Sequence, residues 1–195
     1  MSNRNKTMIM VEGAVMIALA TVLSFIRIYK LPWGGSITLL SMLPIAFFSI
    51  RHGTGRGMVI SFLFSLIQLG QGISDGLFVW GLTPILLISC ILFDYVIAYS
   101  AVGLSGVFRN KGVTGWIMGT VSALGLRFIC HFLSGVVVWK SFGELWEGFS
   151  TDNIYLYSLL YNGSYMLPEI VLTAVGAYIL FKSSQVRKLI TEKRK

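Results

Sequence analysis

Long apolar runs, broken by short polar or glycine-containing segments, set the plan of this chain of 195 residues. Six of them are read as membrane helices, at about 8–28, 37–50, 57–73, 82–105, 113–139 and 154–181. A spanning helix wants ~20 apolar residues, within a range of ~17–25. The second run is short and contains Pro44, so an earlier start, a tilt or shielding by neighbours is expected of it. The pattern predicts one all-α membrane domain over residues 1–195, with six transmembrane helices and a basic tail at 182–195. The first run is longer than a signal-peptide core and reads as a retained span. Two breaks look more than connective. Leu31-Pro-Trp-Gly-Gly-Ser36 reads as a turn. The segment from Lys140 to Asn153 carries Phe142, Trp146 and Phe149, which suit either an interfacial belt or a lid over an outward-facing pocket.

Composition agrees with the pattern. The chain is 55% hydrophobic and 12% charged, with a mean hydropathy of +0.76. A soluble domain is about 25% charged, and one of this length could not hide so much apolar surface. The net charge of +8 would fit nucleic acid only if it were spread on a binding motif, and none is present. Instead the basic residues cluster. Arg4, Lys6, Arg51, Arg56, Arg109, Lys111 and the tail residues Lys182, Arg187, Lys188, Lys193, Arg194 and Lys195 fall on one side of the six spans. Asp75, Glu144, Glu147 and Asp152 fall on the other. The positive-inside rule then puts both termini in the cytoplasm, with the tail against anionic lipid. His52-Gly-Thr-Gly-Arg-Gly57 lacks the lysine and spacing of a phosphate loop, so no means of hydrolysing ATP is evident. Cys90 and Cys130 lie within spans and read as buried thiols rather than a disulfide.

The informative residues are the polar ones inside the membrane. Glu12, Asp94, Arg127, His131 and Glu169 all sit within spans. A charge there costs roughly 2.5–3.5 kcal/mol on insertion scales and marks a functional site by default. Arg127, His131 and Gly135 repeat every four residues and form one stripe. Trp139 lies off it, since twelve residues at ~100° each leave it about 120° round the helix. Asp94 has two readings, an ion pair with Arg127 that locks the fourth and fifth spans, and a counter-charge for a cationic ligand. Tyr157, Tyr161, Asn162, Ser164 and Tyr165 crowd the start of the sixth span ahead of Pro168, which suits a pocket better than interhelical glue. A metal set is not apparent, because the other histidine, His52, lies on the opposite side. No paired carboxylates and no nucleophile with a base in register are apparent, so no catalytic residue is assigned.

Leu92-Phe-Asp-Tyr-Val-Ile-Ala-Tyr99, Leu126-Arg-Phe-Ile-Cys-His-Phe-Leu-Ser-Gly-Val-Val-Val-Trp139 and Tyr157-Ser-Leu-Leu-Tyr-Asn-Gly-Ser164, with Pro32-Trp-Gly-Gly-Ser-Ile-Thr38 ahead of them, resemble the thiamine-specific substrate-binding subunit of energy-coupling-factor vitamin transporters. The resemblance implies a multi-pass protein of the bacterial cell membrane, not an enzyme, that binds thiamine near its extracellular side and needs no cofactor. It implies a transmembrane coupling subunit and two ATPases as partners. It also implies pocket residues: Trp33, Asp94, Tyr95, Arg127, His131, Gly135, Trp139, Tyr157 and Asn162. Ala14 and Ala18, an Ala-x-x-x-Ala pair on the first helix, match the residues that dock on the coupling subunit. The alternatives are a binding subunit for another vitamin or a thiamine precursor, and a small membrane enzyme. If Trp139 shares the site, the fifth span must end, bend or unwind near Gly135.

Overall fold

The computed structural model describes residues 3–31, 34–140 and 143–192. Apolar periodicity becomes a bundle of helices: α1 (Asn3–Phe25), α2 (Leu43–His52), α3 (Thr54–Ser74), a composite fourth rod from Pro84 to Lys111, a fifth from Gly112 to Trp139, and α7 (Ile154–Lys182). A short amphipathic helix, α8 (Ser184–Thr191), follows. The protein is thus mostly helical and built to sit in a membrane. The fourth and fifth rods form one continuous apolar stretch, Pro84–Trp139, that folds back on itself. The fold-back occurs where Phe108 leaves helical geometry and Gly112 takes φ +66°.

The composite rods are irregular where it matters. The fourth begins as α4 (Pro84–Cys90), widens into a π-helical stretch over Ile91–Ile97, passes through α5 (Ala98–Ser100) and tightens to a 3-10 stretch over Ala101–Lys111. The fifth runs as α6 (Gly112–Ser134) and ends in a second π-helical stretch, Gly135–Trp139.

Two small hairpins cap one end of the bundle, and the sequence did not announce them. β1 (Arg27–Lys30) pairs antiparallel with β2 (Ser36–Thr38), and β3 (Gly143–Trp146) with β4 (Phe149–Thr151). The first span therefore stops at Phe25, not 28, and the second begins at Leu43, not 37. The physical reason is local. Arg27-Ile-Tyr-Lys30 carries β-branched and aromatic residues at its centre and meets Ser36–Thr38 across the glycine turn, so the backbone bonds are made between strands. Asp75, just past α3, fastens this hairpin: its carboxylate meets Arg27 at 2.8 Å and Lys30 at 2.8 Å. Burial would raise the Asp75 pKa, but the two cations outweigh it and hold it below the ordinary carboxylate value.

At ten residues α2 is too short to cross a bilayer alone. Its whole middle, Leu43 to Ile50, is buried, and it serves as the core on which the 3-10 stretch of the fourth rod, α3 and α1 pack. Met42, Ile45, Phe48, Phe64 and Leu124 fill one cluster, and Phe47, Ile50, Trp116 and Phe181 another. Glu12 is explained here, because it meets Arg51 at 3.0 Å and His52 at 3.2 Å. Val11, Val15, Leu19 and Val22 of α1 are exposed, as are Ala14 and Ala18 between them.

Candidate functional site

At the hairpin end, where α6 packs against both α7 and the π-helical stretch of the fourth rod, a cavity of about 560 Å³ opens. Asp94, Tyr95, Arg127, His131, Gly135, Trp139, Tyr157 and Asn162 all line it. Trp33 lies outside the described residues, although its neighbours Gly34, Gly35 and Ser36 line the cavity. Trp146 is exposed on the second hairpin and does not line it.

The centre of the site is Asp94. Its Oδ1 lies 2.9 Å from His131 Nδ1. Its Oδ2 accepts from Ser134 Oγ at 2.5 Å, Trp139 Nε1 at 3.3 Å and Cys90 Sγ at 3.3 Å. This carboxylate draws three side chains of the fifth rod to one point. The His131 ring meets Tyr99 and Tyr165 edge to face, and its buried Nε2 has no partner among the described residues.

Trp139 joins this group because of the π-helical turn. Lys140 N–H bonds to Gly135 O at 2.9 Å, five residues back. A wider turn rotates less per residue, so the side chain falls back toward the His131 stripe. π-Stretches of this kind concentrate at functional sites. The expected unwinding near Gly135 is therefore present, as a widening rather than a break. Trp80 meets Trp139 at 5.6 Å between ring centroids and also lines the cavity.

Arg127 does not pair with Asp94. Its Nη1 lies 3.6 Å from Glu169 Oε1, and its Nη2 donates to Tyr99 OH at 3.0 Å. The axial offset between rods decides this. Arg127 sits one turn deeper than His131, level with Glu169 of α7, while Asp94 sits level with His131. Both partners are deeply buried, Arg127 at 4% exposure and Glu169 at 1%. Glu169 Oε1 also accepts from Thr38 Oγ1 at 2.8 Å, and so reaches the end of the first hairpin.

The α7 wall is aromatic and polar. Tyr157 and Tyr161 stack at 6.3 Å with 14° between planes. Asn162 Nδ2 donates to His131 O at 3.3 Å and to Ser158 O at 3.0 Å, and its Oδ1 accepts from Tyr165 OH at 2.9 Å. Asn162 thus ties α7 to α6 at the level of His131.

Gly135 is what lets these helices approach. A Cβ there would overlap Ser158 Oγ and press on Asn162 Nδ2 at 3.1 Å. Gly135→Ala is expected to push α7 outward, lower thermal stability by roughly 1–3 kcal/mol, as overpacking does, and weaken ligand binding with it. Thermal unfolding and a ligand titration on the same sample check this; an unchanged pair of values would mean that the seam has slack.

The sequence pattern does not single out Ser134, Tyr99 or Ser158, and it gives Glu169 no role. Ser134 was within reach of the signal, being three residues after His131 and on its face. Tyr99 was not, because a π-helical stretch separates it from Asp94. Among the described residues no group of three or more His, Cys, Asp and Glu side chains could hold a metal.

A family model described as "Thiamine transporter protein (Thia_YuaJ)" matches residues 10–189. The chain is 30% identical over 199 residues to the thiamine transporter ThiT of Bacillus subtilis (strain 168), covering 93% of this chain and 95% of that one. It is 26% identical over 197 residues to the thiamine transporter ThiT of Lacticaseibacillus paracasei, covering 92% and 90%. A solved structure of ThiT from Listeria monocytogenes superposes with a TM-score of 0.69 at 24% identity, covering 95% of this chain and 98% of that one. That likeness is one of fold.

Proposed function

The chain belongs to the thiamine transporter protein family, as a multi-pass bacterial membrane protein and not an enzyme, and on that premise we propose that it captures thiamine in the Asp94 cavity. The observation that carries this is the composition of the cavity: one carboxylate ringed by aromatic faces. Thiamine joins a permanently cationic thiazolium to a flat aminopyrimidine. Asp94 offsets the cation or accepts from the amine. Trp139 and Trp80 offer faces for stacking and cation–π attraction, and the Tyr157–Tyr161 stack lines the opposite wall. His131 Nε2, without a partner, is placed to bond the ligand. The first hairpin, whose Ser36 lines the cavity beside Gly34 and Gly35, covers the entrance, which faces outward, with both termini in the cytoplasm and the basic tail that starts at Lys182 against the inner leaflet; the resemblance adds Trp33 to the ligand-binding set. Arg127, Gly135 and Asn162 hold the walls in place. Ala14 and Ala18, exposed on α1, dock on a transmembrane coupling subunit driven by two ATPases, to which this chain delivers its ligand.

The test is a titration of the purified protein with thiamine, followed by tryptophan fluorescence. A saturable change is expected. Trp139→Ala should weaken binding about thirtyfold, the equivalent of a desolvated cation–π contact of ~2 kcal/mol. No saturable response, or an unchanged affinity in the variant, would remove thiamine from this cavity.

A further inference from the structure

The opposite end of the bundle holds a second cavity, also of about 560 Å³. It lies where α1 begins, α2 ends, α3 begins and the fourth rod turns into the fifth, with the end of α8 beside it. None of its lining residues belongs to the Asp94 site. Its lining mixes two chemistries, the guanidinium side chains of Arg51, Arg56 and Arg109 and the apolar side chains of Ile50, Trp116 and Ile190, with one carboxylate, Glu192.

This mixed lining goes beyond a general surplus of positive charge at one membrane face. Arg51 is already paired with Glu12, which fixes its position at the rim. Arg109 is held near Gly53 by the tight α2–α3 connection, and its backbone carbonyl accepts from Trp116 Nε1 at 2.7 Å. A cationic and an apolar lining residue are therefore direct neighbours. The end of α8 contributes Ile190 and Thr191 to the lining; Val186 and Ile190 pack toward α2 while Arg187 and Lys188 are exposed. A free inorganic anion would use only the arginines. A phospholipid would use both kinds of lining residue, its phosphodiester on the guanidinium groups and its glycerol and upper acyl carbons along Ile50, Trp116 and Ile190. Basic pockets between membrane helices suit such headgroups, and arginine forks match phosphate geometry.

The geometry points to a binding site for one anionic phospholipid in this cavity, separate from the ligand site at the other end.

The experiment uses the purified full chain in neutral detergent, with dioctanoyl phosphatidylglycerol, dioctanoyl phosphatidylcholine and inorganic phosphate as probes, read by thermal unfolding and native mass spectrometry. Phosphatidylglycerol should bind saturably, one molecule per chain, and raise the unfolding temperature. Phosphatidylcholine should do neither, and phosphate should not displace the bound lipid. The double variant Arg56→Gln/Arg109→Gln should weaken phosphatidylglycerol about thirtyfold, at roughly fivefold per arginine. Arg187→Gln/Lys188→Gln, on the outer face of α8, should leave it nearly unchanged. A thiamine titration on each variant reports whether the bundle is intact. Equal binding of the two lipids, or equal loss in the α8 control, would reduce the effect to general surface attraction and overturn the site. Saturation by phosphate alone would assign the cavity to a free anion instead.

Discussion

Asp94→Asn is expected to weaken thiamine binding by roughly 30- to 5,000-fold, the range found when one partner of a buried charge pair is neutralised. Two effects combine. The first is loss of the negative charge opposite the thiazolium in a site with little water to replace it. The second is a conflict of donors. Asp94 accepts from Ser134, Trp139 and Cys90 at one oxygen and faces His131 Nδ1 at the other. An asparagine has a single acceptor oxygen, so its amide must point donors at one of these sets. Asp94→Glu separates the two effects, since it keeps the charge but adds a methylene; it should retain more affinity than the asparagine variant. A neutral pyrimidine analogue separates them from the other side, because its affinity should fall less on Asp94→Asn than that of thiamine. The measurement is calorimetric titration of purified variants. If Asp94→Asn binds thiamine like the parent protein, the carboxylate only holds His131 and Trp139 in place.

How much of this was legible in the sequence depends on which distance was needed. Positions along one helix could be read. Arg127, His131 and Gly135 fell on one stripe by i, i+4 spacing, and all three line the cavity. Relations between helices could not. The offset that pairs Arg127 with Glu169 rather than Asp94 is set by loop geometry and packing, to which spacing within a span is blind. Trp139 shows the limit within one helix. Ideal rotation put it off the stripe, and only the resemblance argued for its return; the π-helical turn that brings it there has no simple residue signature. The hairpin at Arg27–Thr38 was hidden because Ile26 and Ile28 carry the apolar run of the first span past Arg27, and a single charge at a span end does not by itself mark a strand. The short second span was visible as an anomaly. Its explanation, a helix shielded on nearly all sides, required the neighbours.

Glu169→Leu should be the most damaging single change to stability, costing about 3–5 kcal/mol, because it leaves the Arg127 guanidinium buried without its counter-charge. Two of its nitrogens, Nε and Nη1, already lack a hydrogen bond among the described residues. Replacing both members at once, Arg127→Met with Glu169→Leu, should recover most of the lost stability, since well-packed apolar pairs often equal a buried ion pair. Binding should not recover in step. Glu169 also accepts from Thr38 Oγ1, at the end of β2, and Arg127 donates to Tyr99 OH, which lines the cavity. The pair therefore joins the floor of the site to the hairpin that covers it. In the double variant the bundle should unfold near the parent temperature while thiamine leaves faster, as stopped-flow fluorescence would show. A double variant with parental stability and a parental off-rate would mean that the ion pair is only packing. A Glu169→Leu variant as stable as the parent would mean that Arg127 finds water or another acceptor, and the buried pair contributes little to either property.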